Sequence, residues 1–198
     1  VVMVHQSAPC APGCQGAAVP RGVSDSLALW RAPGHRARGK HKGAGAMRAG
    51  AIIFDKDGTL FDFRATWDVW AADLIAELSA GDPQRRARLI FELRFDPDTR
   101  GFLPDSPVIA GTNREAAECV ARALPDHAVE RLERLLMVRA MTAPLAPAVP
   151  LGPLFERLRG AGLRLAVMTN DSEAAALAHI ESAGLSGLLD AVAGFDSG

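Results

Sequence analysis

The sequence contains no tyrosine and only three cysteines, Cys10, Cys14 and Cys119, in 198 residues. Three cysteines are too few for a disulfide scaffold and point to a reducing, cytoplasmic setting. No apolar run approaches the roughly 18 residues of a spanning helix, so no membrane association is expected. An excess of one charge is lacking as well: 22 Lys/Arg stand against 23 Asp/Glu, a net −1. Neither nucleic acid nor an anionic membrane is therefore expected as a partner. What remains is the mixture of a globular domain, 48% hydrophobic and 23% charged.

The balanced charge conceals a split. Residues 1–46 carry six bases (Arg21, Arg31, Arg36, Arg38, Lys40, Lys42) and one acid, Asp25, a net +5. The remaining 16 bases and 22 acids give −6. This first segment is rich in Gly, Pro and Ala and has one aromatic, Trp30. Such a composition buries too little to offset its ordering entropy, and residues 1–46 are expected to be a disordered extension outside the core. The segment has no hydrophobic stretch for a secretory signal, and Met47 reads as the natural start. Cys10 and Cys14, with His5, His35 and His41 nearby, lack the second ligand pair a zinc site requires. The basic cluster Arg36–Lys42 has no aromatic platform on which bases could stack.

From Met47 the pattern becomes that of an α/β domain. Residues 50–54 form a short apolar run, read as a buried parallel strand, which ends in Asp55-Lys56-Asp57-Gly58-Thr59-Leu60. Trp67, Trp70, Leu74 and Leu78 recur at helical spacing over residues 64–79 and are expected to pack. Asp82-Pro83 opens a second helix as N-cap and first-turn proline. Residues 96–107 read as a turn region. Thr112 and Glu115 have capping-box spacing at the start of a third helix. A fourth covers about 126–141, with Val129, Leu132, Leu136 and Met141 inward. After a proline-rich connector, a helix at 153–160, a strand at 163–168, a helix at about 173–183 and a short strand at 190–194 follow.

Strand, helical insertion, helix, strand, helix, strand is a Rossmann-like parallel core interrupted by an all-helical cap. The boundaries read as 47–62 plus 150–198 for the core and 63–149 for the cap. Ligands in such sheets bind beyond the carboxyl ends of strands. Two strands here end in reactive polar residues, Asp55-Lys56-Asp57-Gly58 and Thr169-Asn170. A carboxylate at a strand end can attack phosphorus or carbon, and a second one two residues on can act as acid and base. Gly58 allows a tight turn whose amides face an anion, and a Thr hydroxyl can bond a phosphate oxygen. Lys56, lying between the two aspartates along the chain, is expected to project away from their shared face. Asp171 and Ser172 read as helix caps, and His127 and His179 carry no partner motif.

Asp55-Lys56-Asp57-Gly58-Thr59-Leu60 and Val167-Met168-Thr169-Asn170 resemble the first and second motifs of the haloacid dehalogenase-like hydrolase superfamily. The resemblance spans about residues 47–198 and is greatest to the phosphoglycolate phosphatase-like branch. It implies a Mg²⁺-dependent phosphatase of small phosphorylated metabolites, acting through an aspartyl-phosphate. Asp55 would be the nucleophile and a Mg²⁺ ligand. Asp57 would protonate the leaving alcohol, activate water, and ligate Mg²⁺ by its backbone carbonyl. Thr169 would bind the phosphoryl group, and Gly58 and Asn170 would frame it. Dehalogenases of the superfamily lack an acid where Asp57 stands, because no leaving alcohol needs a proton. A phosphomutase or a non-catalytic remnant would keep the same residues.

The resemblance also implies a third-motif Lys or Arg and a fourth-motif pair of acids after Asn170. No Lys or Arg follows Arg164, and Asp196 alone follows Asp190. The chain is therefore expected to be cut short of both, poorly stable and nearly inactive as it stands.

Overall fold

Two apolar runs, each too short for a helix and free of internal polar residues, pair as the centre of a parallel sheet. Strand β2 (Ala51–Phe54) lies beside β5 (Arg164–Met168), with Phe54 opposite Val167. The short strand β6 (Ala191–Ala193) pairs with β5, and β1 (Val2–Val4) with β2, all parallel, in the order β1-β2-β5-β6. The computed structural model describes residues 49–198 and, of the preceding chain, the backbone of 2–4. The sequence pattern places no element before Met47, and β1 departs from it at these three residues. Cys10, Cys14, their neighbouring histidines and the basic cluster lie outside the described residues.

The segment between β2 and β5 is mostly helical. A π-type turn at Arg64–Asp68 runs into α1 (Val69–Ser79). Helix α2 (Pro83–Leu93) starts as expected, with the Asp82 carboxylate accepting from the amides of Gln84 and Arg85. Helix α3 (Asn113–Ala123) carries both bonds of the Thr112–Glu115 capping box. Helix α4 (Val129–Ala140) ends one residue before Met141, which is 41% exposed rather than inward. The predicted turn region contains an antiparallel pair, β3 (Phe95–Asp96) and β4 (Gly101–Phe102), whose phenylalanine rings meet edge to face.

Two hydrophobic clusters organise these elements. One gathers Trp70, Leu74, Leu89, Leu93, Leu132 and Leu136 between α1, α2, α3 and α4. The other joins the sheet to helix α5 (Leu151–Gly160) and helix α6 (Glu173–Ser182) through Phe54, Phe61, Phe155, Leu165 and Ile180. Phe54 and Phe155 stack at 5.1 Å, fixing α5 against the strand that carries Asp55 at its end. Cys119 is buried in α3, and burial pushes its thiol pKa up, which makes it an inert packing residue. Among the described residues no helix is long and apolar enough to cross a membrane.

Candidate active site

The site forms where β2 and β5 end side by side. After Phe54 the chain folds into a tight turn in which the Lys56 carbonyl accepts from the amides of Leu60 at 2.9 Å and Phe61 at 3.1 Å. Gly58 sits at φ +77°, a left-handed conformation that a side chain would strain. Leu60 and Phe61 are buried, at 2% and 0% exposure, and anchor the turn in the core. The connector before α5 holds it from the far side, through Asp62 N to Ala146 O and Ala148 N to Leu60 O.

Of the residues expected at the site, Asp57 and Thr169 meet directly. The Asp57 Oδ1 accepts from the indole Nε1 of Trp67 at 2.8 Å, and its Oδ2 from the Thr169 hydroxyl at 3.3 Å. Asp55 lies at the end of β2, with its Oδ1 accepting from the Lys56 amide at 2.8 Å. Thr169 is fixed in turn: its amide donates to Ala193 O, and its Oγ1 accepts from the Asp171 amide. Asn170 turns outward and donates to Ala110 O at 3.0 Å, tying the end of β5 to the loop before α3.

Lys56 does not project away from the aspartates. The turn curls its side chain back beneath them, where it is fully buried, and its Nζ lies 2.8 Å from both carboxylate oxygens of Asp57. The same ammonium lies 3.0 Å from His179 Nδ1. It also makes an ionic contact of 3.3 Å with Asp171 Oδ2, an oxygen that receives no hydrogen bond. Extended-strand geometry underlies the opposite expectation, and it fails because residues 56–61 form a turn.

Asp171, expected as a cap, serves this cluster instead, while Ser172 caps α6 by accepting from Ala175 N. Trp67 was expected only to pack; it does meet Trp70 edge to face at 5.4 Å, yet its N–H is spent on Asp57. His179, which carries no partner motif, packs directly on Lys56. Asp171 and His179 lie far along the chain from Lys56, and Trp67, ten residues from Asp57, sits among apolar neighbours, so none of the three has a local sequence signal. Arg64 and Arg94 pair with Asp68 and Asp105 and do not enter the site.

A pocket of about 70 Å³ opens at this cluster, lined by Asp57, Trp67, Trp70, Asn113, Asn170 and Asp171 among others. A larger cavity of about 310 Å³ lies among α1, α2 and β3, away from both motifs. No residue of either motif lines it, whereas Asp57 and Asn170 line the smaller one. Among the described residues no group of three or more His, Cys, Asp or Glu side chains is arranged around a metal position.

The profile of haloacid dehalogenase-like hydrolases matches residues 49–198. No curated protein matches the chain. Among solved structures, the magnesium-bound HAD-hydrolase YfnB from Bacillus subtilis is 16% identical, with a TM-score of 0.49, over 74% of this chain and 65% of that one. CbbY from Rhodobacter sphaeroides, in complex with phosphate, is 19% identical with a TM-score of 0.48, over 75% and 64%. L-2-haloacid dehalogenase from Xanthobacter autotrophicus is 20% identical with a TM-score of 0.43, over 75% and 58%. The chain spans 58–64% of the length of the first solved structures it matches.

Proposed function

This chain belongs to the haloacid dehalogenase-like hydrolase family, and from that premise we propose that its site is built to hydrolyse small phosphate monoesters, phosphoglycolate-like in size, through an aspartyl-phosphate. The observation that carries the reading is Asp57, a carboxylate on the pocket wall, joined to Thr169 and two residues beyond Asp55. A reaction at carbon that expels halide has no use for an acid there. Expulsion of an alcohol needs one.

In the proposed sequence the Asp55 carboxylate attacks phosphorus and the P–O bond to the alcohol breaks. Asp57 gives its proton to the departing oxygen. A water then attacks the acyl phosphate, Asp57 takes up its proton, and phosphate leaves with the Asp55 carboxylate restored. The Thr169 hydroxyl and the amides near Gly58 hold phosphoryl oxygens, and Asn170 frames the entry.

Magnesium suits the donor set. Mg²⁺ commonly takes only one or two protein oxygens, with waters and substrate phosphate completing its shell. The Asp55 carboxylate and the Asp57 main-chain carbonyl are such donors, and a bound Mg²⁺ would supply positive charge between nucleophile and phosphate. The ligand in this reading is a small phosphorylated metabolite in the cytoplasm, with no nucleic acid or membrane involved. The pocket's modest volume supports a short substrate.

The test is acid quenching after mixing the chain with a labelled phosphate ester and Mg²⁺. A hydroxylamine-labile phosphate is expected on the peptide carrying Asp55 and none in Asp55→Asn, while Asp57→Asn slows turnover by about 10²–10⁴-fold. Equal labelling of the Asp55→Asn chain would refute the reading.

A further inference from the structure

Lys56 and His179 are the only basic side chains buried among the described residues. An ammonium withdrawn from water is costly unless it is paired and hydrogen-bonded. Lys56 meets that requirement with Asp57, Asp171 and His179. Its Nζ also lies 5.3 Å from the centre of the Trp67 ring, on whose face a cation is favoured.

The protonation pattern of the pair follows from its neighbours. His179 Nε2 is 2.7 Å from the Ala140 carbonyl, which can only accept, so Nε2 carries a proton and donates. Lys56 has only donors, so His179 Nδ1 must accept and the ring is neutral. Burial and the Lys56 charge both hold the His179 pKa below its ordinary value, in agreement with this assignment. The result is a directed series: the last carbonyl of α4 fixes His179 on α6, His179 fixes Lys56, and Lys56 grips both oxygens of Asp57.

Asp57 and Asp171 both line the pocket, and Asp57 is the more exposed, 17% of its side chain against 4% for Asp171 and 0% for Lys56. Buried itself, the ammonium acts on the pocket through these partners, and Asp57, whose two oxygens it holds, is the most exposed acid among them. We infer that Lys56 and His179 are a positioning pair, in which neutral His179 holds the Lys56 ammonium so that it fixes the Asp57 carboxylate at the pocket for proton transfer. The inference rests on the phosphatase reading for the role of Asp57.

Two readouts on the full chain test it. The first is the indole N–H resonance of Trp67, assigned with Trp67→Phe, because that proton sits on Asp57 Oδ1. Lys56→Met and His179→Leu are expected to shift it. Lys56→Arg and His179→Asn, which keep a cation and an acceptor, should hold it near the wild-type position. The second is kcat/KM, which ends at release of the alcohol. Lys56→Met should lower it about 100-fold for an alkyl phosphate and less than about 5-fold for p-nitrophenyl phosphate, whose leaving group needs no proton.

An unmoved Trp67 signal in folded Lys56→Met overturns the pairing whatever the activity, and His179→Leu gives the same reading if Lys56→Met does not fold. Equal losses for the two esters overturn the role in proton transfer. A wild-type chain inert toward both esters is the outcome expected of a chain short of its third and fourth motifs, and a Trp67 signal that responds as expected then leaves the positioning of Asp57 standing.

Discussion

Gly194 is the position where a single methyl group should do the most damage to the site from outside it. It follows β6 and lies against the loop between β5 and α6 that carries Thr169, Asn170 and Asp171. A Cβ there would fall 2.6 Å from the Asp171 carbonyl oxygen and from Ser172 C, and closer still to the Glu173 amide nitrogen. All three are backbone atoms, so no side chain can swing aside. The two segments are also stitched together, by Phe195 N to Asp171 O at 3.0 Å and Glu173 N to Asp196 Oδ1 at 2.7 Å. Relief therefore requires the end of β6 to move off the loop and those bonds to stretch.

Overpacking costs about 1–3 kcal/mol where neighbours can partly adjust, and rigid backbone on every side puts Gly194→Ala near about 3 kcal/mol. At about 2–4 °C per kcal/mol for a domain of this size, the melting temperature should fall by roughly 6–12 °C. Thermal unfolding followed by circular dichroism measures this directly. Gly152→Ala is the control. Nothing lies within 4 Å of a Cβ at Gly152, which sits in α5. Alanine there should stabilise by up to about 1 kcal/mol. A Gly194→Ala chain melting within about 2 °C of wild type would refute the steric argument.

Three further outcomes are expected. Phe155→Ala removes a fully buried ring stacked on Phe54 and should lower the unfolding free energy in urea by about 3–5 kcal/mol. Thr112→Ala deletes the N-cap acceptor of α3 and should cost about 1 kcal/mol, read as a lower urea midpoint with unchanged slope. His179 links stability to pH. Burial first, then the Lys56 charge, lower its pKa from 6.5, opposed by the Ala140 bond and the charges of Asp171 and Asp57. The unfolded chain therefore binds its proton first as pH falls, so this contribution is complete above about pH 6.5 and declines below it. Urea midpoints between about pH 7 and pH 5.5 should fall more steeply for wild type than for His179→Asn.

Local signals were the most legible in the sequence. The capping box at Thr112 and Glu115, the Asp82-Pro83 start and the apolar runs ending at Asp55 and Thr169 each depend on residues a few positions apart. The β3–β4 pair escaped because two-residue strands have no periodicity to detect. Met141 was misplaced by extending a helical period one residue beyond the last turn of α4. The candidate site divides in the same way. Asp55, Asp57 and Thr169 stand at strand ends and announce themselves. Lys56 meets His179 across 123 residues of chain, and Trp67 shares the apolar stripe of its neighbours while its one polar atom points elsewhere. Nothing in a linear pattern marks such a partnership.

The parallel register of β2 and β5 also bears on how the site comes into being. Asp57 and Thr169 meet across 112 residues, and more than half of the intervening chain is helix whose contacts join neighbours in sequence. Helical turns form in about a microsecond or less, whereas pairing two distant strands must first overcome the entropy of closing the loop. That cost grows by only about 0.6 kcal/mol per doubling of loop length. An insert already condensed on its own leucines brings the strand ends nearer than a random coil of equal length would. Asp57, Thr169, Lys56 and His179 are thus expected to assemble after the insert, late in folding. Amides of β5 should accordingly gain exchange protection later in refolding than those of α3 and α4.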